Sequence, residues 1–203
     1  KYKVKLRAKS DAPRPFSTSI YYYDNKFMFV KSDTSIAAST IKHAAKSGVD
    51  FVSFEINSVW TKPNERPDFK YIDSAFGVFL EANPKAKLIP RVRLDPQINE
   101  WWRNSHPDDM MKNSDGTINE TYISVSSPTY RKEAAESLRQ FIEYCEAHYP
   151  DNMAGYHPAG GNSREWFYGG TWHSTFSGYD VNTLKAWRVW LKNRYGSVEN
   201  LVK

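Results

Sequence analysis

The stretch VDFVSFEI, residues 49–56, decides how the rest of the chain is read. Val52, Phe54 and Ile56 alternate with Ser53, Glu55 and Asn57, the period of a strand with one apolar and one polar face. Directly before it, Gly48 closes a helical pattern in which Ile36, Ile41, Ala44 and Ala45 share a face and Asp33 or Thr34 stands at the cap. A helix running straight into a half-polar strand is one β/α unit. The same order recurs on both sides of it.

Upstream, FSTSIYYY (16–23) reads as a first strand. Downstream, Asp68 is placed to cap a second helix with an apolar stripe of Ile72, Phe76, Phe79 and Leu80, ended by Asn83-Pro84. KLIPRVRLD (87–95) is the third strand, with Arg91, Arg93 and Asp95 on one face and Val92 and Leu94 on the other. Residues 96–126, rich in Asn, Asp, Ser and Gly, read as a long irregular connection, which in a compact unit is a functional or mobile loop. Ser127-Pro128 opens a third helix whose stripe is Ala134, Leu138, Phe141, Ile142 and Cys145, NMAGYHP (152–158) is a fourth strand, and Leu184, Trp187, Leu191 and Tyr195 mark a fourth helix ended by Gly196. Trp187 and Trp190 are assigned to the core on helical spacing, His43 and His148 to the surface.

Four β/α units make half of an eight-stranded parallel β/α barrel of the TIM type, which runs to about 250 residues. The expected fold class is therefore α/β, a partial barrel over residues 1–203, whose open sheet edges need the remainder of the barrel or a partner chain. An open doubly wound sheet is the alternative. No glycine-rich phosphate turn follows the first strand, which disfavours a nucleotide-binding version of it.

Composition excludes several classes. A chain with 40% hydrophobic and 25% charged residues is globular. Its net charge of +5 comes from scattered Lys and Arg, read as a solvated surface with an anionic ligand as the alternative; no nucleic acid is expected as partner. No apolar run of about 18 residues calls for a membrane. The first residue is Lys1, so any targeting segment is expected to have been removed, and the compartment stays open. Cys145, the single cysteine, is expected to be buried and inert; no metal site and no cofactor are expected.

The phrases ANPKAKLIPRVRLDP, EWWRNSHPDDMMKNSDG, SVSSPTYRKEAAESLRQFIEYCEAHY, GYHPAGGNSREWFYGG and LKAWRVWLKNRYGSVENLVK together resemble glycoside hydrolase family 42 and its β-galactosidase-like relatives. The resemblance implies a β/α barrel that cleaves glycosides with retention, its acid/base glutamate ending the fourth strand and its nucleophile ending the seventh. Glu165 matches the first position, and the second has no counterpart here. In the family an asparagine precedes the acid/base residue; Arg164 stands there, with Asn162 upstream to take that part. Some relatives carry a zinc-binding cysteine cluster, which Cys145 alone cannot supply.

Around Glu165, Gly160, Gly161, Gly169 and Gly170 let the backbone turn and approach a ligand, and Trp166 and Phe167 are placed to give the apolar surroundings that hold a proton on a carboxyl. A solvent-exposed loop glutamate is the competing reading. Asn57, Trp60, Arg91, His157, Asn162, Trp166 and Trp172 complete the candidate substrate-binding set for a carbohydrate. Each loop tryptophan, Trp101 and Trp102 included, fits a sugar face and a barrel lid equally. Arg91 and Arg93 fit sugar hydroxyls or structural ion pairs with Glu55 or Asp95, and His157 a sugar hydroxyl or a hydrogen-bonded core position.

Overall fold

The computed structural model describes residues 27–30, 34–95, 100–161, 164–168 and 175–202. The strand expected over 16–23 and the cap expected at Asp33 lie outside them. Four parallel strands form one sheet in the order β1 (Phe27–Val30), β2 (Phe51–Asn57), β3 (Lys87–Arg93), β6 (His157–Ala159). Parallel neighbours need a crossover, which helices supply here: α1 (Thr34–Lys46), α2 (Lys70–Ala82) and the long α4 (Pro128–His148). Among the described residues the sheet does not close, and its outer edges are β1 and β6.

The helix ends follow their local chemistry. Gly48 leaves α1 at φ +75° while its N–H and that of Val49 bond back to Ala45 and Ala44. At α2 the expected cap shifts by one residue: Phe69 holds the cap position, and the Asp68 carboxylate accepts the Lys70 N–H at 3.0 Å. Asn83 closes α2 and ties it to the sheet, its amide donating to Asp50 at 3.0 Å while its side-chain oxygen accepts the Lys85 N–H. Ser127 caps α4 by accepting the Tyr130 N–H at 3.0 Å, with Pro128 at the first helical position. Ser127→Ala is expected to cost about 1 kcal/mol, read as a lower urea midpoint at unchanged slope.

The core lies between the apolar face of β2 and β3 and these helices. Val52, Phe54, Leu88 and Val92 meet Ile72, Phe76 and Phe79 of α2, with Phe54 edge-on to Phe76 at 5.5 Å and tilted on Phe79 at 4.3 Å. Phe141 and Cys145 of α4 complete it; burial pushes the Cys145 thiol up to about 12, so it stays protonated and unreactive near neutrality. No helix among the described residues is long and apolar enough to cross a membrane. His43 and His148 are exposed, as expected.

Three expectations are corrected. Residues 100–126 are not irregular: they hold α3 (Glu100–Ser105) and an antiparallel hairpin, β4 (Met110–Lys112) with β5 (Ile118–Ile123). The turn residues do turn, with Gly116 at φ +86° and the Thr117 N–H on Asp115 at 2.9 Å. What hid the hairpin is a three-residue strand, too short to show a period. The fourth strand is also shorter than expected. Met153 bridges Leu88, and regular pairing resumes at Arg91 opposite His157, so three steps along β3 face four along this segment. One residue is extra, a bulge at 154–156 that delays the strand.

The third correction concerns α5 (Val181–Tyr195), capped by Asp180, which accepts the Thr183 N–H at 2.9 Å. It has no buried residue; Trp187 is 53% and Trp190 49% exposed, stacked on each other at 5.0 Å. Spacing placed them on one side of the helix, and in the structure that side is left about half open to solvent; α6 (Val198–Leu201) meets α5 around Leu191 and Tyr195.

Candidate functional site at the carboxyl ends of the strands

Parallel register brings Glu55 opposite Arg91 and Asn57 opposite Arg93, so four polar side chains share the face away from the helices. Both structural ion pairs considered from the sequence are present: Arg91 lies 4.0 Å from Glu55, and Arg93 lies 3.5 Å from Asp95. Asp95 is 8% exposed, and its Oδ1 has no hydrogen-bond partner among the described residues. His157 sits beside Arg91 on β6 and is exposed, which removes the core reading of that histidine.

The loop after β6 is tied to three strand ends. The Arg164 guanidinium is 2.7 Å from Glu55 of β2, an ionic contact in which the Nε–H is not aligned as a hydrogen bond. Arg91 of β3 donates Nη2–H to the Arg164 carbonyl at 2.9 Å. The Trp166 indole donates to the Pro158 carbonyl at 3.1 Å, and its backbone N–H to Gly160 at 2.8 Å. Arg164 and Trp166 both take positive φ, 59° and 63°, a conformation that costs a residue with a side chain and persists only where its surroundings enforce it.

Space explains the two glycines beneath. A Cβ on Gly160 would sit 2.9 Å from the Trp166 ring, and one on Gly161, at φ +69°, would sit 2.8 Å from the Phe167 carbonyl oxygen. Gly161→Ala is expected to destabilise the protein by about 1–3 kcal/mol, the range for a forced backbone conformation. Thermal melting together with Trp166 fluorescence would detect it; an unchanged melt would mean the loop does not need this turn.

Glu165 lies between the two tied residues and is exposed, without an ion pair or hydrogen bond among the described residues. The dry setting expected from its neighbours is not there, because Trp166 is 45% and Phe167 40% exposed. A cleft of about 300 Å³ opens at the end of β2, lined by Asn57, Ser58, Trp60, Glu65, Arg66 and Asp95 among others. Asp95 also lines a small cavity under Trp166 and Phe167, so it stands between the cleft and the loop. Tyr130, on the same small cavity, has its phenol pushed up by burial and then by the Asp95 charge.

Of the residues singled out by sequence, Asn57 and Trp60 meet in the cleft, and Arg91, His157 and Trp166 cluster around β3 and β6. Asn162 and Trp172 lie outside the described residues. Trp60 is partly buried, parallel to Tyr130 and edge-on to Trp102. Trp102 is fully buried with its indole N–H on Glu133 at 2.5 Å, which makes it core. Sequence reasoning missed Glu65 and Arg66 of the cleft, since residues 58–69 have no period to read, and Tyr71, which stands in the first turn of α2 outside its apolar stripe. It also missed the Arg164 tie to Glu55. Strand parity put Glu55 on the right face, and nothing in the sequence named its partner. Among the described residues no group of three His, Cys, Asp or Glu side chains could hold a metal.

The profile of glycoside hydrolase family 42, described as β-galactosidase, matches residues 26–203. The chain belongs to glycoside hydrolase family 42. Two β-galactosidases are similar to this family 42 chain: LacZ of Heyndrickxia coagulans, 25% identical over 90% of the chain, and BgaH of Haloferax lucentense, 28% identical over 79%. The chain spans 26% and 23% of their lengths, about a quarter of each. In fold it is similar to the catalytic domain of the Paenibacillus polymyxa β-amylase, with a TM-score of 0.56 and 16% identity, over 85% of this chain and 48% of that one.

Proposed function

We propose that residues 1–203 form the first four β/α units of a TIM-type barrel in a retaining glycoside hydrolase acting on β-galactoside-like oligo- or polysaccharides. Family membership supports the reaction class, and one observation carries the site: Glu165 is held where three parallel strands end, between residues anchored to β2, β3 and β6. In a β/α barrel the chemistry sits at that end.

Glu165 is the general acid/base. Protonated, it gives its proton to the glycosidic oxygen as the bond to the anomeric carbon breaks, while an ionised carboxylate supplied from outside this chain attacks that carbon. Ionised, it then takes a proton from the water that releases the sugar. The cleft lined by Asn57 and Trp60 receives the carbohydrate, with the Trp60 ring for a sugar face; Arg91 and His157 border the path, with Asn162 and Trp172 assigned from sequence. The remainder of the barrel, or a partner chain, covers the sheet edges and the tryptophan face of α5.

A carbohydrate-binding barrel without turnover is the second reading. It is favoured by the exposure of Glu165 and by the ion pairs that occupy Glu55, a carboxylate on a neighbouring strand. Assay of the complete protein and its Glu165→Gln form on β-galactosides, with calorimetry of galactoside binding, separates the two. Turnover lost with Glu165 supports the enzyme; binding without turnover in the unaltered protein supports the second reading.

A further inference from the structure

We infer that Glu55 is a positioning residue for Glu165, acting through Arg164. The inference rests on the proposed acid/base role of Glu165 and assigns a task to a carboxylate that does not itself reach the reacting atoms.

The geometry of the link is direct. Glu55 stands on the polar face of β2, with 27% of its side chain exposed, and holds two cations with different oxygens: Oε2 lies 2.7 Å from Arg164, and Oε1 4.0 Å from Arg91. Arg91, only 13% exposed, turns its other nitrogen to the Arg164 carbonyl at 2.9 Å. Arg164 is therefore gripped at both ends, its guanidinium by β2 and its backbone by β3. That grip stabilises a residue at φ +59°, and Glu165 is the next residue along. From the far side, Trp166 at φ +63° is fixed to β6. Glu165 is bracketed by two strained residues, and the Glu55 charge holds the bracket on the β2 side.

The consequence is specific to proton donation. A carboxyl displaced by about 1 Å from a leaving oxygen loses orders of magnitude in transfer efficiency, whereas sugar binding in the cleft is left to other residues. The variant of choice is Glu55→Gln, which keeps the shape and removes the charge, studied in the complete protein beside Glu165→Gln. The readout is kcat/KM across aryl galactosides of rising phenol pKa. Activated leaving groups need no proton and report only attack by the nucleophile; poor ones report the acid.

Expected is a loss of about 10- to 100-fold confined to the poor leaving groups, with KM little changed. Glu55→Asp should recover part of it. A uniform loss across all leaving groups, or none, overturns the positioning role while Glu165→Gln still shows the selective loss. If Glu165→Gln shows no such selectivity, the acid/base reading itself fails. Should Glu55→Gln fail to fold, Arg164→Gln cuts the same link from the loop side and decides by the same readout.

Discussion

Replacing Glu165 by glutamine is expected to lower kcat/KM on alkyl galactosides or disaccharides by about 10²–10⁴, the usual contribution of a general acid. Glutamine matches glutamate in shape and carries no transferable proton. Because Glu165 has no ion pair or hydrogen bond among the described residues, the substitution removes nothing that anchors the loop; Arg164 and Trp166 keep their ties to Glu55, Arg91 and Pro158. Melting temperature should stay where it was, and substrates with strongly acidic phenols should keep most of their kcat/KM. Azide, a nucleophile that needs no base, should speed release of the glycosyl intermediate in the variant. Equal kcat/KM for both forms on poor leaving groups would take Glu165 out of the reaction.

Phe76→Ala has the largest expected effect on stability, about 3–5 kcal/mol. Phe76 is fully buried on the face of α2 that meets the sheet, edge-on to Phe54 at 5.5 Å and tilted against Tyr149 at 4.9 Å. Removing the ring strips contacts from β2, α2 and the end of α4 together. A rigid β2 cannot collapse into the hole without breaking its register with β3. The loss should appear as a lower urea midpoint at unchanged slope. A cost below about 1 kcal/mol would mean that α2 does not pack on the sheet as described.

The parts legible in the sequence are those where a period repeats long enough to outvote its exceptions. The β2 sequence alternates from Val52 to Asn57 and β3 in burial over its seven residues, and α2 and α4 carry stripes closed by Asn83 and opened by Ser127. Where the period is short or broken the reading fails: the three-residue β4, and the β6 segment in which one extra residue around Gly155 delays pairing. Exposure of Trp187 and Trp190 is a different case. Spacing reports which side of a helix is apolar, and only tertiary structure reports whether anything lies against it.

The site divides in the same way. Parity alone places Glu55, Asn57, Arg91 and Arg93 on one face, because parallel register leaves no freedom there. The cleft walls contributed by residues 58–69 and the Arg164 tie depend on how irregular backbone folds back over the sheet. No sequence period encodes that. Arg164, read from sequence as a departure at an asparagine position, is in the structure a cross-strand anchor.

The parallel indoles of Trp187 and Trp190, half in water, make α5 an optical gauge of whatever settles on it. Indoles this exposed are expected to emit toward the red, and shielding them to move that emission toward the blue. A stopped-flow fluorimeter would therefore time the arrival of any surface that covers this helix, without an attached dye.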